Sequence, residues 1–249
     1  MKRIIIMALG VLMALALATP MALAQVGQGA KASGKAEELA VAWTQWAFSK
    51  PVDVDSPLIG GDPNYSEARC DGTPVSATQG KTWFLAGTFG SSTEATETVR
   101  TCTMPVGTHL FFPVVNWIAF PFPENPNETP ENQRDLVIGA MDATLNDPNL
   151  IMQVTVDGQE VKSNRIVRAI SPPFFTVTLP EENAFDPLAP PDGVAAGEYE
   201  GWTTDGLWVT LPPLPPGVHE IHFEASAPSV GVSQNITYIL TVVNGKPAP

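Results

Sequence analysis

Residues 107–123 read GTHLFFPVVNWIAFPFP, the most apolar run outside the first two dozen residues. It is a membrane segment, a buried strand or an apolar surface, and the choice decides the fold. A membrane-spanning helix needs about 20 apolar residues; Leu110 to Phe122 falls well short and carries Asn116. Pro113 would break a helix by removing a backbone N–H and crowding the preceding turn. The Phe, Val, Ile and Trp residues around it favour a strand. The stretch therefore predicts a strand buried on both faces, or one bulged at Pro113, and its place is the core.

On either side the pattern stays β. KTWFLAGTFG (81–90) and VRTCTMP (99–105) precede it as two further strands. LIMQVTVDGQEVKS (150–163) alternates around Asp157-Gly158, a strong hairpin signal. PFFTVTLP (173–180), GLWVTLPPL (206–214), GVHEIHFEAS (217–226) and QNITYILTVV (234–243) complete the strands. Residues 180–206, PEENAFDPLAPPDGVAAGEYEGWTTDG, show no periodicity and read as a long polar loop.

Two helices interrupt the series. KAEELAVAWTQWAFSKP (35–51) places Leu39, Ala42, Trp43, Trp46 and Ala47 at helical spacing and ends at Pro51. Thr129 is suited to cap a second helix, with Pro130 at its first position and an apolar face of Leu136, Val137, Ala140, Met141, Ala143 and Leu145 running to about Asn146. The fold class expected is mainly β: an antiparallel β-sandwich, Ig-like or jelly-roll-like, with two packed helices. Residues 36–249 are read as one unit, with a sub-boundary near 146–150.

The first 24 residues combine basic Lys2 and Arg3, the apolar run Ile4 to Ala18 and the small-x-small site Ala22-Leu23-Ala24. These are the parts of a secretory signal peptide, followed by a flexible leader over 25–35. The protein is expected to be secreted or periplasmic, without membrane insertion after cleavage. In that oxidising setting Cys70 and Cys102 are expected to form one disulfide, worth about 3–4 kcal/mol in a chain-entropy picture.

The formal charge is −13, with 13 basic against 26 acidic residues, and loss of Lys2 and Arg3 deepens it. Such a field repels phosphate backbones, so nucleic acid is not an expected partner. Hydrophobic residues are 44% of the chain, which is enough for a packed core and argues against a disordered acidic protein.

Catalytic motifs are absent from the sequence. GTFGSSTE lacks the G-x-S-x-G spacing. The three histidines are His109, His219 and His222; on a strand the last two point to opposite faces and cannot chelate one ion together. Asp53, Asp55 and Asp62 offer oxygen ligands for calcium, without the EF-hand register, and a solvated acidic loop is the rival reading. Glu181, Glu182, Asp186, Asp192, Glu198, Glu200 and Asp205 are candidates for glycosidase chemistry, but nothing selects a facing pair.

Tyr199 and Trp202, with Asp205 beside them, offer ring faces and hydrogen-bonding groups to a sugar, and are read as loop-borne candidates; Trp208 is expected in the core. No cofactor is implied beyond calcium.

KTWFLAGT, RTCTMPVGTHLFFPVVN, ISPPFFTVTLPEENAF, DGLWVTLPPLPPGVHEIHFEAS and ITYILTVV together resemble a family of exported bacterial β-rich proteins. The resemblance covers most of the chain beyond residue 24 and implies secretion and a β-rich fold, with no catalytic residues to carry over. LPPGVHEIHFEAS and NITYILTVV resemble the last two strands of Ig-like sandwich modules. The reading that follows is an exported, non-enzymatic protein that binds a neutral glycan or another extracellular protein. The alternatives are a secreted hydrolase using loop carboxylates, calcium-assisted or not, and a structural envelope-associated protein.

Overall fold

The computed structural model describes residues 34–52, 57–58, 80–88, 97–122, 127–185 and 194–245. The signal-peptide region, Asp53, Asp55, Asp62 and Cys70 lie outside the described residues.

The protein is mainly β, with two five-stranded sheets and two α-helices. The first sheet runs β1 (Thr82–Phe84), β3 (His109–Ala119), β8 (Gly197–Leu211) and β6 (Ile166–Ile170), with β7 (Phe175–Leu179) pairing the other end of β8. The second runs β2 (Thr98–Pro105), β10 (Val232–Val243), β9 (Gly217–Ala227), β4 (Ile151–Val156) and β5 (Gln159–Glu160). Most pairs are antiparallel, as the turn chemistry anticipated, but β1 joins β3 and β2 joins β10 in parallel. Both sheets mix strands from either side of residues 146–150.

The run at 107–123 becomes β3, and its burial has a layered cause. Leu110, Phe112 and Val114 pack between the sheets with Phe223, Tyr238 and Leu240, whereas Phe111 faces the opposite layer with Trp43 and Trp208. That layer is helix α1 (Gly34–Phe48). Its Trp43 Nε1 donates to Leu85 O at 2.7 Å, and its ring meets Trp208 edge-on at 5.4 Å. The first sheet is thus a middle layer, and each of its faces needs apolar side chains. The register shifts by one residue between Pro113 and Val115, a bulge at the proline.

Helix α2 (Pro130–Leu145) starts as its sequence dictates: the Thr129 side chain accepts from Asn132 N–H at 3.2 Å, and Pro130 opens the first turn. Its buried face is Val137, Met141 and Thr144, while Leu136 stays 60% exposed. Asp142 and Asn146 close its end toward Asp147, which holds the backbone N–H of Asn149 and Ser229 at 2.8 Å each. Asp157-Gly158 forms the expected hairpin turn, with φ of 51° and 73°.

Strand β8 departs from expectation. Its 15 residues begin at Gly197, so the last ten residues of the expected 180–206 loop are strand. Gly201 sits at φ 84°, where β8 passes from pairing β7 to pairing β3 and β6.

Candidate functional site

The sugar-platform residues are not where a loop would have put them. Trp202 is fully buried, stacked on Phe120 at 4.2 Å and packed against Phe48 and Phe185. The reason is strand periodicity and pairing: once β7 and β3 bond β8, its side chains alternate into the layer beneath α1. Tyr199 is half-buried; its hydroxyl donates to Ala195 O at 2.8 Å and its ring meets Phe120 edge-on. Trp208 is core, as expected.

Asp205 is fully buried and belongs to an ion-pair network. Arg168 Nε donates to both its carboxylate oxygens at 3.0 and 3.1 Å, and Nη2 to one of them at 2.5 Å. Arg168 Nη1 reaches Asp142 on α2 at 2.6 Å. Nearby, Arg134 Nη1 donates to Ser171 O at 3.0 Å. Burial pushes the Asp205 carboxyl above the ordinary carboxylate range and the Asp142 charge adds to the rise, while the bonds from Arg168 oppose it. The hydrogen bond to Asp205 raises the Arg168 guanidinium above its usual value. Every strong bond here joins two elements of the fold, so the network fastens α2 to β6 and β8.

The histidines are apart. His222 Nε2 meets Asn235 Oδ1 at 3.0 Å on the neighbouring strand. His219 lies between two acceptors, Asp157 Oδ2 at 2.8 Å from Nδ1 and Pro215 O at 3.0 Å from Nε2. Its hydrogen bond to Asp157 raises the imidazole's pKa and lowers that of the carboxyl. No group of three metal-ligating side chains gathers among the described residues.

The structure shows a different site, a groove of about 550 Å³ beside the bulge in β3. One wall is Trp43, Phe48 and Leu58. The floor is Pro113 and Val115 to Ile118, and the far wall is Val232, Ser233 and Gln234 at the start of β10. Gly87 and Thr88 close one end. The Gln234 amide donates to Val114 O, and a side chain on Gly87 would occupy its place. Trp117 is half-exposed, its Nε1 donating to Thr144 Oγ1 at 2.9 Å. Among the described residues, the groove's lining contains no ionisable side chain. Pro113 was the only sequence signal for it, since its walls come from segments more than a hundred residues apart.

A second, shallower depression lies at Pro121, Pro130, Phe174, Phe175 and Glu200.

A two-sheet β fold with a groove beside one strand is the class that fold and site define. No protein-family model matches the chain, and no curated protein is similar to it in sequence. Among solved structures it is similar to PbICP-C in a complex with falcipain-2, at 12% identity over 66% of this chain and all of that one, with a TM-score of 0.22. A family 123 glycoside hydrolase from Clostridium perfringens matches at 14% identity over 60% of this chain and 23% of its own, with a TM-score of 0.23. Amebosin matches at 10% identity over 60% of this chain and 99% of its own, with a TM-score of 0.19. Likenesses this slight carry no argument about function.

Proposed function

We propose that the protein is an exported, non-enzymatic binding protein that takes a neutral extracellular ligand, a glycan or a segment of another protein, in the groove beside β3. The observation that carries this reading is the lining. In a chain of net charge −13 the described residues of the groove present rings, aliphatic side chains, amides and hydroxyls, and none of them is ionisable. Neutral ligands are held by apolar walls with a few placed polar groups, which is the chemistry of Trp43, Ile118, Asn116, Ser233 and Gln234 together. Export rests on the residues at positions 2–24.

Thermal unfolding of the secreted chain against neutral polysaccharides and end-blocked neutral peptides tests the proposal. A ligand of the folded state adds about 2.7 kcal/mol at a hundredfold excess over its dissociation constant. The midpoint should rise with a neutral ligand, and the intrinsic fluorescence of half-exposed Trp117 should change with it. A rise confined to charged ligands, or one with no response from groove residues, would overturn the reading.

A further inference from the structure

Among the described residues, strand β3 loses a neighbour partway along its length. Parallel pairing with β1 ends at Phe111, whereas pairing with β8 continues to Ala119. The proline explains the stop: Pro113 has no N–H to give a partner on that side.

Backbone groups along a strand point alternately to its two edges. His109 N–H bonds Lys81 O at 2.9 Å and Phe111 O accepts from Leu85 N–H at 3.3 Å, so residues 109 and 111 address the β1 side. The one-residue shift between Pro113 and Val115 reverses that parity and turns Val114, Asn116 and Ile118 to the vacated edge. The Gln234 amide on Val114 O fits this, a side chain standing in for a missing strand. Asn116 and Ile118 have no strand partner on that edge among the described residues, and both line the groove.

We propose that an extended, uncharged segment of a partner polypeptide docks along this edge as an added strand beside β3; this rests on the groove being the ligand site. Two features select the occupant. The N–H and C=O groups of Asn116 and Ile118 recur at the two-residue repeat of a strand, roughly 7 Å, which a peptide backbone matches group for group. The described lining of the groove offers no counter-charge, and the acidic chain around it disfavours carrying a carboxylate into it. Side chains of the added strand would alternate between the α1 wall of Trp43 and Phe48 and the wall of Val232 and Ser233.

The test uses the full secreted chain, 15N-labelled, and a pool of end-blocked hexapeptides built from Thr, Ser, Val and Leu. The same pool N-methylated at alternate residues and a pool bearing Lys and Glu serve as comparisons. Amide exchange at Asn116 and Ile118 should be fast in the free protein and slow with the neutral pool. N-methylation, which deletes main-chain donors, should weaken binding about tenfold or more.

Equal binding of the N-methylated or charged pool would overturn the proposal. So would protection of both amides in the free protein, since the edge would then be filled from within the chain. If neutral sugars perturb Trp117 while no peptide does, the strand proposal fails and the neutral-groove reading stands. If neither sugars nor peptides perturb groove residues, both fail.

Discussion

Trp202 lies flat on Phe120, ring centroids 4.2 Å apart and planes 5° from parallel, with Phe48 and Phe185 closing the other sides. Trp202 comes from a stretch that composition places in a loop and Phe120 from the apolar run that ends β3, and their contact joins β8 to the segment leaving β3. Truncating Trp202 to alanine removes this stack and leaves a cavity, at a cost of about 3–5 kcal/mol in urea unfolding. Trp202→Phe should cost much less, because the buried indole N–H has no hydrogen-bond partner among the described residues. A ligand-binding platform would give the reverse pattern, lost affinity at unchanged stability.

Arg168 and Asp205 predict a second asymmetry. Arg168→Met leaves the fully buried Asp205 carboxylate without its guanidinium and should cost about 3–5 kcal/mol. Arg168→Met combined with Asp205→Leu removes both charges and should recover a large part of that loss. Equilibrium unfolding of the two single variants and the double variant measures the coupling; simple additivity would show that the pair does not act as a unit.

Much of this architecture was legible where local chemistry and tertiary demand agree. Thr129-Pro130 caps α2 by residue type alone, Asp157-Gly158 turns a hairpin, and Pro113 marks the bulge in β3. Strand β8 was not legible across GEYEGWTTDG, because glycines and threonines read as loop until partners bond both edges. The parallel edges at β1 and β2 leave no local signature either, since they pair residues brought together only by the whole chain path. The groove shares that limit: its walls meet only in the folded molecule.

His219 gives the fold a pH window. Its folded pKa is raised above 6.5, so the ionic form of its contact with Asp157 is fully present below that value and is lost as pH rises through the raised one. Asp157 is lowered below 3.8, so its share is present above that value and is lost as pH falls through the lowered one. The contact should therefore stabilise most between 3.8 and 6.5. The Asp157 side chain is half-exposed, so solvent screening keeps the effect small. Comparing unfolding midpoints of the wild type and His219→Gln at roughly pH 5 and pH 9 checks this. The gap between them should narrow at the higher pH; a constant gap would exclude the ionic contribution.

Cys102 is fully buried on β2, facing the inter-sheet core beside Met104 and Leu240. A disulfide to Cys70 should appear as a linked peptide in a non-reducing digest of the secreted chain. Reduction should then cost about 3–4 kcal/mol if the closed loop acts through chain entropy. A free Cys70 thiol in the folded, oxidised protein would remove this tie.

Two glycines should respond in opposite directions to alanine. A Cβ on Gly206 would lie 2.5 Å from Asn116 Cβ and 2.8 Å from Val115 O, atoms of the paired strand that cannot swing aside. Gly206→Ala should therefore push β8 away from β3 beside the bulge, costing about 1–3 kcal/mol, and should disturb the amides of Asn116 and Ile118. Gly139 lies inside α2 with nothing within 4 Å of its added methyl. There alanine only restricts the unfolded chain and improves helix propensity, so Gly139→Ala should stabilise by about 0.4–1 kcal/mol. Measured together by denaturant unfolding, the pair separates close strand packing from backbone entropy. A neutral Gly206→Ala would mean that β3 and β8 are less tightly apposed at Asn116 than the groove's floor requires.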